Sequence, residues 1–155
     1  MTPRVLVVRE DWADPEIALP SYETTGAAGA DLRANLPSGD RASGITLAPL
    51  ERRIIPTGLR VAIPEGFEMQ IRPRSGLAFK HGITLPNTPG TIDSDYRGPL
   101  GVLLVNIGTE PYTLHHGDRI AQAVIAPVVQ ASFAIAESLD DTARGHGGFG
   151  STGRS

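Results

Sequence analysis

Apolar and polar residues alternate along several short runs of this chain, and glycine or proline interrupts them at close intervals. In Leu59-Arg60-Val61-Ala62-Ile63 and Phe67-Glu68-Met69-Gln70-Ile71 the apolar residues fall at every second position. That is the period of a strand with one face in a core and the other toward solvent. Further β-branched or aliphatic runs lie at Val5–Val8, Ile45–Leu47, Arg53–Ile55, Val102–Ile107, Ile120–Ala126 and Ser132–Ala136. Val102-Leu103-Leu104-Val105 is apolar throughout and predicts a strand covered on both faces. A helical period is sustained nowhere for long. One short helix is predicted to open at Ser75, which would cap it, and to continue through Leu77-Ala78-Phe79-Lys80. Many short strands with turn residues about every 8–12 positions predict an all-β jelly-roll-like barrel or sandwich with one short helix.

Composition narrows the class. The 155 residues suffice for one domain, a β-barrel over 1–142, followed by a flexible Gly-rich lid over 143–155. A formal net charge of −3 supplies no global basic field, so nucleic acid is not an expected partner. The absence of cysteine removes disulfides, thiolate metal sites and cysteine nucleophiles together. No window approaches the roughly 20 apolar residues of a membrane span, and the N-terminal apolar run is too short for a signal peptide. A cytoplasmic protein is expected. Pro37–Gly44 reads as an exposed loop without chemistry of its own.

Five polar, Gly-punctuated segments interrupt the strand pattern. Ala28-Gly29-Ala30-Asp31-Leu32-Arg33-Ala34 places one carboxylate at a strand edge, where a turn cap is the plainer role. In Arg72-Pro73-Arg74-Ser75-Gly76-Leu77-Ala78, an arginine precedes free amides at the helix start, a pairing suited to an anion. Asn87 to Gly98 bends at Thr88-Pro89-Gly90 and offers backbone donors and acceptors along one edge, as a nucleobase would require. Asp93 and Asp95 follow at a spacing that, on extended chain, points both carboxylates the same way. His116-Gly117-Asp118-Arg119-Ile120-Ala121-Gln122 sets an amide on an apolar strand, where it needs a partner or solvent. Ala143 to Arg154 surrounds Phe149 with five glycines, flanking cations and the hydroxyls of Ser151 and Thr152. Such a segment packs no core and suits a lid over an anionic aromatic ligand. His81, His115, His116 and His146 show no metal-ligand spacing.

Taken in order, AGADLRA, PRSGLA, NTPGTIDSDYRG, GDRIAQ and RGHGGFGSTGR closely resemble the five motifs of the homotrimeric all-β deoxyuridine triphosphate diphosphatases, the dUTPases. The resemblance runs from about Ala28 to Arg154 and departs at no position where the family places its chemistry. It implies hydrolysis of dUTP between the α- and β-phosphates, with Mg²⁺, to dUMP and pyrophosphate. By that resemblance the reaction would limit uracil in DNA and supply dUMP for thymidylate synthesis. Asp93 would then orient and deprotonate the attacking water, and Asp31 would hold the metal through water. Arg74, Ser75, Gly76 and Gln122 would contact the phosphates. Asn87 and the backbone through Gly90, Thr91 and Ile92 would hydrogen-bond uracil and leave no room for a 5-methyl group. Tyr96 would stack under the deoxyribose. From the tail, Arg144 would reach the γ-phosphate, Phe149 would cover the uracil, and Gly150, Ser151 and Thr152 would close over the phosphates. The resemblance also implies three sites between subunits, each sealed by the tail of a third chain. A deoxycytidine triphosphate deaminase and a catalytically silent binding module are the alternatives; the complete IDSDY and GGFGSTG motifs favour the diphosphatase.

Overall fold

The computed structural model describes residues 2–153, so Arg154 of the last motif lies outside the described residues. The chain forms β1 (Leu6–Arg9), β2 (Ala30–Arg33), β3 (Ile45–Leu47), β4 (Arg52–Ala62), β5 (Phe67–Arg72) and α1 (Ser75–His81). After the helix come β6 (Ile83–Thr84), β7 (Gly90–Ile92), β8 (Pro99–Asn106), β9 (Tyr112–Leu114) and β10 (Arg119–Pro127). They assemble into sheets ordered β1-β4-β8-β6 and β2-β10-β5-β7, with β3 and β9 as a separate pair. All pairings are antiparallel. This is the predicted all-β architecture. Among the described residues no helix is long and apolar enough to cross a membrane.

The alternating positions do what their period requires. Leu59 and Val61 from one sheet, Ile63 just beyond it, and Met69 and Ile71 from the other sheet are buried in one core with Leu32, Leu36, Leu100, Val102 and Leu104. Arg53–Ile55 and Leu59–Ala62 belong to a single strand, β4, whose register with β8 slips between Pro56 and Leu59. A slip is where a strand tolerates proline, which has no N–H for the ladder, and Gly58 takes φ +68 there.

Three expectations fail for identifiable reasons. Along β8 only alternate residues are buried, so Leu103 and Val105 are half-covered and Ile54, opposite Leu103, is 70% exposed. Among the described residues that face is left partly open. Ser132–Ala136 forms no strand, because none of the sheets within the chain lends it a hydrogen-bonding edge. Phe133 and Ile135 are fully exposed on this arm. Ser75 does not cap α1: it is the first helical residue, Arg74 occupies the cap position, and no side-chain cap bond forms.

Candidate active site

The first candidate cluster lies where β2, β10 and β5 run side by side. Gln122 on β10 sits opposite Asp31 on β2 and opposite Arg72 on β5. Three motifs distant in sequence therefore meet at one end of one sheet. Asp31 has a side chain only 13% exposed and is flanked by two guanidiniums. Arg119 Nη1 donates to its Oδ2 at 3.2 Å, while Arg74 Nε stands 3.6 Å from Oδ1. Arg74 Nη1 donates to the Arg119 carbonyl at 3.1 Å. Gln122 finds the partner it needs: its Nε2 donates to the Pro73 carbonyl at 3.0 Å. A Cβ on Gly29 would collide with the Gln122 amide oxygen, so glycine there is a matter of space. Ser75 and Gly76 are exposed at the first turn of α1, whose leading N–H groups have no acceptor within the helix. A partly exposed arginine beside open amides can hold a polyanion.

The second cluster is the loop from Asn87 to Pro99. Asn87, Gly90, Thr91, Ile92 and Tyr96 line one cavity of about 630 Å³. Gly90 is buried, and a Cβ on it would stand 3.3 Å from the Asn87 side-chain nitrogen. Pairing with β5 fixes this edge, with Gly90 opposite Ile71 and Ile92 opposite Met69. The Tyr96 hydroxyl donates to the Pro99 carbonyl at 2.9 Å, and its ring leaves no room for a side chain at Gly98. Arg97 Nη1 donates to the carbonyls of Ser94 at 2.6 Å and Tyr96 at 2.9 Å, which stiffens the turn. The strand ends at Ile92 and the chain turns at Ser94-Asp95, with Tyr96 N–H donating to the Asp93 carbonyl. Asp95 consequently does not continue the alternation expected to align it with Asp93. Asp93 is exposed, and it lines a second cavity of about 870 Å³ with Asp95, Arg97 and Glu68.

Asp93 does not reach the first cluster within one chain, although Gly90, opposite Ile71, stands at the Arg72 end of β5. Because Ile92 pairs with Met69, Asp93 falls beside Glu68, at the start of β5. Arg74 lies past the other end of that strand, about 20 Å from Glu68 at the ~3.3 Å rise of extended chain. The tail reaches neither cluster. Its described hydrogen bonds are local, such as Arg144 Nε to the Gly147 carbonyl at 2.9 Å and Ser151 N–H to the Gly148 carbonyl at 3.1 Å. Phe149 is fully exposed, and Gly150 and Thr152 are exposed.

Sequence reasoning missed Arg119, although it stands inside GDRIAQ; only the β2–β10 register sets it beside Asp31. It also missed Glu10 and Trp12, which line the cavity of Asn87 and Tyr96 from a distant segment. That segment is clamped. Asn35 is fully buried and exchanges two 3.0 Å hydrogen bonds with the Asp14 backbone. His116 Nδ1 accepts from Leu36 N–H at 3.0 Å and Nε2 meets Asp14 Oδ2 at 2.9 Å, a structural rather than metal-binding role. The His116 hydrogen bond, helped by the Glu16 N–H, holds the Asp14 carboxyl below its ordinary value despite partial burial. Among the described residues, no group of three or more His, Asp or Glu is placed to hold a metal ion.

Fold and clusters together define an all-β enzyme class of the jelly-roll kind, with its polar chemistry at the two ends of one sheet. The family model for dUTPase matches residues 15–153, and the chain belongs to the dUTPase family. It is 73% identical over 154 residues to the deoxyuridine 5'-triphosphate nucleotidohydrolase of Dinoroseobacter shibae, covering 99% of each chain. It is 63% identical over 143 residues to that of Roseobacter denitrificans, covering 92% of this chain and 91% of the other. Among solved structures, the dUTPase of Staphylococcus bacteriophage 80alpha with dUPNHPP superposes with a TM-score of 0.83. The two share 25% identity over 99% of this chain and 100% of that one. Hydrolysis of dUTP to dUMP is the family's function, and the family is generally Mg²⁺-dependent.

Proposed function

We propose that the chain hydrolyses dUTP to dUMP and pyrophosphate in the cytoplasm, in sites assembled between copies of a homotrimer. The observation that carries this reading is the separation of Asp93 from Arg74 at opposite ends of β5. A carboxylate base must stand within hydrogen-bond reach of its water, and that water beside the α-phosphate. Asp93 of one copy therefore serves a phosphate chain held by Arg74, Ser75, Gly76 and Gln122 of another. Exposed apolar residues support assembly: Ile54 on the open face of β4, and Val129, Phe133, Ile135 and Leu139 on the arm.

Each residue then has a task. The edge from Gly90 to Ile92, with Asn87, reads the uracil, and Tyr96, fixed by Pro99, supports the sugar. Asp93 accepts the proton of the attacking water, a contribution of typically 10²–10⁴-fold. Arg74, the amides of Ser75 and Gly76 and the Gln122 amide orient the triphosphate and neutralise charge spread over its oxygens, which is most of what phosphoryl transfer needs. Asp31 fits Mg²⁺ only through water. It is a single carboxylate, and its two guanidinium contacts leave oxygen lone pairs free for coordinated waters. When bound, the ion supplies further neutralisation of the phosphates. Residues 143–155 form the lid, in which Arg144 meets the γ-phosphate, Phe149 covers the base, and Gly150, Ser151 and Thr152 close over the chain. Ordering such a segment costs on the order of 1–2 kcal/mol per residue. Only a ligand with both a ring and a triphosphate offsets that, so the lid discriminates among nucleotides.

Pyrophosphate release from dUTP, with dTTP, dCTP and UTP as controls, tests the activity. Asp93→Asn and Arg74→Gln are each expected to be inactive alone. Unfolded and refolded together in equal amounts, they restore function in about a quarter of the sites, if each site draws independently on two copies. Failure of the mixture to recover activity, with trimers formed, would sink the shared-site reading.

A further inference from the structure

We infer that Arg119 is a positioning residue: it holds one oxygen of Asp31 and thereby keeps the Arg74 guanidinium available to a phosphate chain. The geometry is asymmetric. Arg119 Nη1 is within hydrogen-bond distance of Asp31 Oδ2 at 3.2 Å, whereas Arg74 Nε faces Oδ1 across 3.6 Å, an ion pair without a hydrogen bond. Arg74 is steadied instead by the Arg119 backbone, whose carbonyl accepts from its Nη1 at 3.1 Å. A carboxylate and a guanidinium left to themselves close into a two-pronged pair. Asp31 is 13% exposed and needs a cationic partner; if Arg119 lets go of Oδ2, the remaining guanidinium is that of Arg74. The carboxylate then turns onto Arg74 and withdraws it from any incoming anion.

The position of Arg119 suits this task. It opens β10 immediately before the register with β2 slips, between Arg119 and Ala121, and such slips re-aim side chains. Gln122, opposite Asp31 on the same pair of strands, anchors the backbone beyond the slip through Pro73. Exchanging the Arg119 side chain leaves its carbonyl, and so that hold on Arg74, in place.

The inference rests on the reading that Arg74 meets the phosphates, and one set of titrations separates the two. Binding of α,β-imido-dUTP is measured by calorimetry in EDTA, so that no metal contributes. Arg74→Gln is expected to weaken binding; if it does not, the phosphate-site reading fails first. Arg119→Gln is expected to weaken binding about tenfold, the scale of one charge-assisted contact. Arg119→Lys, which keeps a single-point grip on Asp31, is expected to cost about threefold. In an Asp31→Asn background there is no carboxylate to capture Arg74, so both losses should vanish. A loss from Arg119→Gln that persists in that background overturns the inference, because Arg119 would then touch the ligand or shape the fold directly. No loss in the native background overturns it equally. Should the glutamine variant not fold, the lysine variant carries the same cycle.

Discussion

Gly29→Ala is the sharpest probe of how the fold places the phosphate-side residues. Gly29 does not need glycine for its backbone, since its φ is not in the left-handed region; it needs glycine for room. A methyl group there meets the Gln122 amide oxygen in hard contact and stands 3.0 Å from both Cβ and Cδ of Gln122. Carbon atoms prefer about 3.5–4.0 Å, so Gln122 must rotate or the approach to β2 must move. Rotation sacrifices the 3.0 Å hydrogen bond from Gln122 to the Pro73 carbonyl. Overpacking together with a lost half-buried hydrogen bond costs about 1–3 kcal/mol. For a chain of this size that lowers the melting temperature by roughly 2–12 °C. Scanning calorimetry reads the stability, and steady-state turnover of dUTP should show a raised KM, because the phosphate contact proposed for Gln122 is displaced. Gln122→Ala removes the amide oxygen and Cδ but keeps Cβ at 3.0 Å, so it should reduce the thermal cost of Gly29→Ala without abolishing it. A Gly29→Ala protein melting within about 1 °C of the parent, or a cost undiminished in the Gln122→Ala background, would refute the packing argument.

Three further outcomes are expected. Deleting Ala143–Ser155 should leave fold and assembly intact, since the described tail bonds only to itself, yet cut turnover by orders of magnitude; near-normal turnover would remove the lid. Trp12, the sole tryptophan, lines the cavity of Asn87 and Tyr96, so its emission should change when dUMP is titrated in; an unchanged spectrum at saturation counts against that cavity as the nucleoside site. Asp14 is more acidic folded than unfolded, so its ionised form stabilises the protein at all pH above its ordinary value of 3.8. That benefit is lost as pH falls through the lowered folded value. The melting-temperature gap between parent and Asp14→Asn should therefore hold at mildly acidic pH and narrow below about pH 4; a gap independent of pH down to 2 would contradict it.

What could be read from the chain was whatever a local pattern encodes. Alternation at Leu59–Ile63 and Phe67–Ile71 marked real strands because burial on one face is a local demand. It could not announce that Arg53–Ile55 joins Leu59–Ala62 through a slipped register, since the slip is defined by β8. Ser132–Ala136 has the composition of a strand and lacks an edge, and composition says nothing about neighbours. The alternation argument likewise failed at Asp95, where a turn replaces the extended chain it assumed. Among site residues, Asp31 and Gln122 meet across a β2–β10 pairing that no spacing reveals; their order along the motifs marked them, and so did not mark Arg119. Trp12 and Glu10 carried no signal of their own, because their relevance arises from a clamp built by Asn35 and His116.

The arm beyond β10 has a consequence for how the protein is made. If copies assemble through this arm as proposed above, a newly synthesised chain carries Phe133, Ile135 and Leu139 uncovered until sibling copies arrive. During that interval the same greasy surface that recruits the right neighbours can recruit wrong ones. Yield in a cell or an expression host then turns on a race between finding siblings and clumping, and a polar substitution in the arm would slow the clumping and the maturation alike.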